Sequence, residues 1–146
     1  MSGKLYRDVL MDHMKHPRFS GKVEPADLRA AVNNPLCGDE LELTIALDGP
    51  LIREARTLAR GCSVCVASAS LMGEAIQGRS LEESSRLSQM FREAMASGTL
   101  PDPPPEFLPP LMQIRQHKSR VKCAALAWNA LDECLHHAAF PDEEKR

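Results

Sequence analysis

Cys37, Asp39, Cys62 and Cys123 are the residues of this chain whose chemistry suits holding a metal ion or carrying sulfur. Thiolates are soft donors for zinc and iron, and a carboxylate oxygen can complete a tetrahedral set. The chain has 146 residues and five cysteines, an odd number that cannot all pair, and it is long enough to bury a core without disulfide staples. Metal or thiolate chemistry is therefore the leading expectation. The intervals between Cys37, Cys62 and Cys123 match no generic zinc-finger spacing, and buried cysteines often serve as small hydrophobes, so position alone leaves a metal site and plain packing both open. Cys65 makes a Cys-x-x-Cys with Cys62. It can be a resolving thiol, an alternate ligand or a small buried residue, and burial is the preferred reading. Cys134 falls about 16 Å along the same helix from Cys123, too far to share an ion, and reads as core.

The elements that must position these groups follow from residue periodicity. Apolar residues at 41, 43, 45 and 47 have the two-residue period of a half-buried strand over 40–47, and Asp48-Gly49 is a favoured hairpin turn leading to a second strand over 51–59. A strand over 28–33 would complete a minimal antiparallel sheet. Between the first two strands, Asn33-Asn34-Pro35-Leu36-Cys37-Gly38-Asp39 is turn chemistry, which places Cys37 on a loop. Helical spacing is expected over 4–15, ended by His16-Pro17, and over 63–77, where Ala67 to Ser70 allow close packing before Gly78. Ser80 and Glu83 form a capping box for a helix running to Ser97-Gly98, with Leu87, Met90, Phe91, Ala94 and Met95 inward. A last helix over 120–137 carries Val121, Ala124, Trp128, Leu131 and Leu135 on one face. Cys62 and Cys123 then lie near helix N-termini, where the dipole is expected to lower their thiol pKa values.

Composition narrows the function class. Eighteen Lys and Arg against twenty Asp and Glu give a formal charge of −2, with no global basic field for nucleic acid. No apolar run approaches the roughly 18 residues of a membrane span. Residues 1–8 are charged early and lack an export-like apolar stretch, so a reducing cytoplasm is expected. No glycine-rich phosphate loop calls for a nucleotide.

Three strings, Asn34-Pro35-Leu36-Cys37-Gly38-Asp39, Gly61-Cys62-Ser63-Val64-Cys65-Val66-Ala67-Ser68-Ala69-Ser70 and Arg120-Val121-Lys122-Cys123-Ala124-Ala125-Leu126-Ala127-Trp128, resemble in order the signature blocks of the NifU/IscU/SufU family. The resemblance covers most of residues 4–136. It implies an α+β fold with a small antiparallel sheet of about three strands against a layer of helices, in one domain over 1–146 with a Pro-rich insertion near 98–118. It also implies a role in iron–sulfur cluster assembly, with Cys37, Cys62 and Cys123 as the thiolates and Asp39 as the completing carboxylate. Lys122 stands where scaffold members carry a histidine, and the segment between Cys62 and Cys123 is longer. Both features resemble the SufU branch, which implies zinc, Cys37 as acceptor of persulfide sulfur from a SufS-type cysteine desulfurase, and downstream cluster-assembly proteins as further partners. Two alternatives are a scaffold that builds a [2Fe-2S] cluster on the same ligands and a structural-zinc interaction module. The same ligand set suits zinc or iron.

The remaining candidates carry weaker readings. Arg120 and Lys122 can offset negative charge beside Cys123, though exposed basic residues near a helix start are ordinary. Arg115, His117, Lys118, Arg120 and Lys122 could steer an acidic partner. His13, His16, His136 and His137 read as solvated, and Trp128, Met90, Met95 and Met112 as packing.

Overall fold

The computed structural model describes residues 3–141. Met1 and Ser2, the start of the stretch read above as unlike an export signal, lie outside them. The order of elements is α1 (Gly3–Lys15), β1 (Leu28–Asn34), β2 (Asp39–Asp48), β3 (Leu51–Arg60), α2 (Ser63–Ile76), α3 (Leu81–Ser97), α4 (Leu108–Met112), a 3-10 turn (Gln113–Gln116) and α5 (Lys118–Ala139). The three strands form an antiparallel meander in the order β1-β2-β3. The fold is α+β, as expected.

Strand periodicity and register set the inner face. Leu28 pairs with Ile45 and Ile45 with Ala55; Ala30, Leu43 and Thr57 form the next row, and Val32, Leu41 and Ala59 the third. The same alternation carried back along β2 puts Asp39 on the inner face at the sheet's end, where it is buried. Asp39 pairs with Asn34 on one side, and Glu40 pairs with Arg60 on the other, so Gly61 is the residue that follows opposite Asp39.

α2 lies at the centre, packed against α1, α5 and β3. Its small residues Ala67, Ser68, Ala69 and Ser70 are all buried, which lets the neighbouring helices approach closely, and Ser68 Oγ donates to the Ala124 carbonyl of α5 at 2.6 Å. α3 begins with the expected capping box and ends at left-handed Gly98. It is fastened to α5 by the stack of Phe91 on Trp128, ring centroids 5.1 Å apart, with Phe107 against the other side at 4.7 Å. The Pro-rich stretch contains the short α4 and the 3-10 turn, and Phe107, Leu108, Leu111 and Ile114 anchor it in the core.

His13 departs from the solvated reading. It is buried, and its Nδ1 lies 2.7 Å from Ser70 Oγ. That hydroxyl also accepts from the Arg18 backbone N–H at 2.8 Å, so Ser70 of α2 holds both the α1 imidazole and the chain that follows it. The sequence places His13 one turn after Val9 and Leu10, on the stripe that faces α2, and a histidine there is drawn in with it. His16 and His136 are exposed.

Burial, then the positive charge of Arg18, holds the His13 imidazole below its ordinary value. The unfolded chain therefore binds this proton more readily, and the stability conferred by neutral His13 is lost as pH falls below about 6.5. Thermal melts across that range should show a decline in wild type that is shallower in His13→Gln. Ser70→Ala, which leaves the His13 nitrogen and the Arg18 N–H without their shared partner, should cost about 1–3 kcal/mol in denaturant unfolding.

Candidate metal centre

Three chain segments converge at the inner end of the sheet. The first is the tight turn between β1 and β2. Cys37 N and Gly38 N both donate to Asn34 O, at 3.3 and 2.8 Å, and Leu36 N donates to Asn34 Oδ1 at 3.1 Å. Gly38 has φ +76, a left-handed conformation that carries the chain from Cys37 into β2 with no Cβ penalty. Cys37 is exposed at this turn, beside Leu36, which is 83% exposed.

The second segment is the junction of β3 and α2. Cys62 is the N-cap of α2, yet its side chain makes no capping bond. Instead its backbone N–H donates to Asp39 Oδ1 at 3.0 Å and its thiol lies 3.5 Å from Asp39 Oδ2. Gly61 is required by space: a Cβ there would sit 2.2 Å from Asp39 Oδ1. The third segment is α5, which supplies Cys123, buried, with its sulfur 3.9 Å from that of Cys37. Donor atoms of Cys37, Asp39 and Cys123 all lie within 4.8 Å of one another, the one such group of three or more His, Cys, Asp or Glu among the described residues. The Cys62 sulfur lies outside that group and is tied to it through Asp39 and through its interaction with Cys123.

Two of the donor separations are those of a tetrahedral ion. Bonds of about 2.3 Å to sulfur and about 2.0 Å to oxygen put adjacent sulfurs roughly 3.8 Å apart and a sulfur and oxygen roughly 3.5 Å apart. The Cys37–Cys123 and Cys62–Asp39 separations, 3.9 and 3.5 Å, are edges of that size.

Electrostatics bind the group together. Burial works to raise the Asp39 carboxyl, but hydrogen bonds from Cys123, the Cys62 N–H, Cys37 and the Cys62 thiol outweigh it and hold the group below the usual carboxylate range. The Cys123 thiol is pushed well up, first by burial and then by its contacts with Asp39, Cys62 and Cys37. This corrects the expectation of a pKa lowered by the helix dipole. α5 starts at Lys118, earlier than residue 120, so Cys123 sits in its second turn, where the dipole has faded and burial beside a carboxylate prevails.

The auxiliary candidates separate. Arg120 faces the sulfurs: the charge of Cys62, followed by contacts with Cys123 and Cys62, raises its guanidinium above its ordinary value. Lys122 lines the outer groove formed by Asn33, Asn34, Pro35 and Leu36 with Ala125, Leu126 and Asn129. Cys65 is fully buried behind the site, its thiol pushed up to about 12 by burial and then by the charges of Asp39, Cys62 and Cys37. Arg115 leaves the basic cluster to serve α3, donating from Nε to Met95 O at 2.9 Å. The part played by Gly61 escaped sequence reading, although extending the β2–β3 pairing by one step would have found it opposite Asp39.

The family model described as the NifU-like N-terminal domain matches residues 5–140. The chain belongs to this family. It is 37% identical over 130 residues to the zinc-dependent sulfurtransferase SufU of Bacillus subtilis, covering 88% of each chain. It is 33% identical over 136 residues to the iron–sulfur cluster assembly scaffold protein IscU of Streptococcus pyogenes, covering 92% of this chain and 85% of that one. Among solved structures, a protein from Fervidobacterium islandicum described as an assembly scaffold for the SUF system superimposes with a TM-score of 0.79 at 28% identity, covering 92% of this chain and 99% of that one.

Gly61→Ala should leave the helical content intact while weakening zinc retention about 10–100-fold, measured by competition with a chromophoric chelator. Unchanged retention would mean that the Asp39 position does not govern the site.

Proposed function

We propose that the protein acts in iron–sulfur cluster assembly as a zinc-dependent sulfur acceptor for a cysteine desulfurase, with Cys37 as the acceptor thiol. The observation that carries this reading is the unequal placement of the donors. Asp39 and Cys123 are buried and Cys62 is half-buried on the helix junction, whereas Cys37 is exposed on a turn. Bound zinc would be held by Cys37, Cys62, Cys123 and Asp39 and would supply charge that keeps the sulfurs deprotonated at neutral pH.

The chain's own groups do the rest. The turn offers Cys37 to an incoming desulfurase persulfide. The Cys37 thiolate attacks the outer persulfide sulfur, a new S–S bond forms on Cys37, the desulfurase S–S bond breaks, and the desulfurase cysteine departs as a thiolate. Arg120 offsets the negative charge that arrives with the persulfide. His117, Lys118, Arg120 and Lys122 are all exposed on the α5 side of the site and suit an acidic partner face. The similarity to a zinc-dependent sulfurtransferase supports the zinc reading, and the nearness of the Cys37, Asp39 and Cys123 donor atoms, all within 4.8 Å of one another, supports a metal at this point.

The protein as purified should hold about one zinc per chain. Incubation with a SufS-type desulfurase and cysteine should add one sulfur to the Cys37 peptide by mass spectrometry, and Cys37→Ala should abolish that addition. Desulfurase stimulation should weaken as salt rises. A stoichiometric, transferable visible chromophore on anaerobic reconstitution with iron and sulfide, with no sulfur found on Cys37, would replace this reading by that of a scaffold.

A further inference from the structure

Cys65 has no part in the reading above, yet it is placed where a thiol can react with a site sulfur. Cys62 is the N-cap of α2 and Cys65 is three residues on, at position N3. The N-cap backbone of α3 supplies an internal comparison: Ser80 has φ −71 and ψ 160, and Cys62 has φ −69 and ψ 162. In α3 this conformation brings the N-cap and N3 side chains across the same turn, with Ser80 Oγ accepting from Glu83 N at 3.0 Å and Glu83 Oε1 accepting from Ser80 N at 3.1 Å. In α2 both positions are cysteines. The first turn is closed, with Val66 N donating to Cys62 O at 3.2 Å. Helical geometry separates Cα atoms three residues apart by about 5 Å, inside the range that disulfides span. Helical side chains also lean toward the N-terminus, so the Cys65 sulfur is directed at Cys62.

The Cys62 side chain therefore has two destinations. In one its sulfur lies 3.5 Å from Asp39 Oδ2, in the candidate metal centre. The other is the capping position that Ser80 takes at the start of α3, on the side of its own N3 residue. We infer that Cys62 and Cys65 are a disulfide-forming pair, and that closing it draws the Cys62 sulfur off the Asp39 corner of the metal centre.

The reactant class is a low-molecular-weight disulfide. The Cys62 thiolate attacks one of its sulfurs, forming a mixed disulfide and expelling one thiolate. The Cys65 thiol then attacks the Cys62 sulfur, its proton passing to the departing thiolate, which forms the Cys62–Cys65 bond and releases the second thiol. Two protein thiols are oxidised by two electrons and the reagent is reduced to two thiols. The rival pair is Cys37 and Cys123, whose sulfurs are 3.9 Å apart but which belong to separate elements. The Cys62–Cys65 ring closes within a single helical turn, which keeps the resolving thiol beside the adduct whatever the turn at Cys37 does.

The disulfide step stands apart from the metal, whereas the coupling to metal release rests on the zinc reading proposed above. The test treats the full chain, as purified, with graded oxidised glutathione, blocks remaining thiols, and maps disulfides by peptide mass while a chromophoric chelator reports released zinc. The expected result is a Cys62–Cys65 linkage that rises in step with zinc release, with both reversed by reductant. Cys65→Ala should need about tenfold more oxidised glutathione for the same release, because the intramolecular step is gone. A Cys37–Cys123 linkage with Cys62 and Cys65 still reduced overturns the inference, as does Cys65 staying reduced while zinc leaves. Should Cys65→Ala fail to fold, the wild-type map decides alone. Should the purified chain hold no zinc, the reading of the previous section fails while the map still decides the disulfide.

Discussion

A carboxylate buried at the end of a strand governs this structure. Asp39 cannot be solvated by water where the inner-face alternation of β2 leaves it, and an unpartnered buried carboxylate is costly. Its partners must come from the protein, and they come from three places: the backbone and thiol at the start of α2, the thiol on α5, and the thiol on the preceding turn. Each partner constrains the chain that supplies it. The position opposite must lack a side chain, hence Gly61. α2 must begin where its first free N–H can reach Oδ1, and α5 must pass close enough to aim its second turn at the sheet's end.

The framework that meets these demands is uneven in stiffness. α2 is buried along most of its length by small residues, and Ser68 ties it to the α5 backbone at the turn beginning with Cys123. The aromatic stack of Phe91, Trp128 and Phe107 fixes α5 from its other side. Cys62 and Cys123 thus ride on packed helices. Cys37 is held by a 3.3 Å backbone hydrogen bond to Asn34, within a turn flanked by an exposed leucine. Elements with few buried apolar contacts open at lower free energy than core helices. Among the donors, the thiol that meets solvent is also the one on the least anchored backbone.

Much of this was legible in the residues. The two-residue period set the inner face of β2, Asp48-Gly49 turned the hairpin, Ser80 and Glu83 opened α3, and of the four candidate ligands Cys37, Asp39 and Cys123 come within 4.8 Å of one another. The failures share a cause. The start of α5, the burial of His13 and the diversion of Arg115 to the end of α3 all depend on what lies opposite in space. Local propensity cannot say that a histidine will find a serine fifty-seven positions away, or that an arginine after a proline-rich crossing will meet the carbonyls of an earlier helix. The pKa of Cys123 failed for the same reason, since the dipole is a local property and burial beside Asp39 is a tertiary one.

Charge placement adds a further asymmetry. Asp39 places a negative charge at the centre of the candidate site, and Arg120 brings a positive one to Cys62 and Cys123 from the exposed start of α5. An exposed guanidinium neutralises less than a buried one, because solvent screens it. Its contacts are with Cys62 and Cys123, the thiols carried by packed helices, while Cys37 stands exposed on its turn beside exposed Leu36, so the candidate site is closed on its helical side and open on the side of the turn.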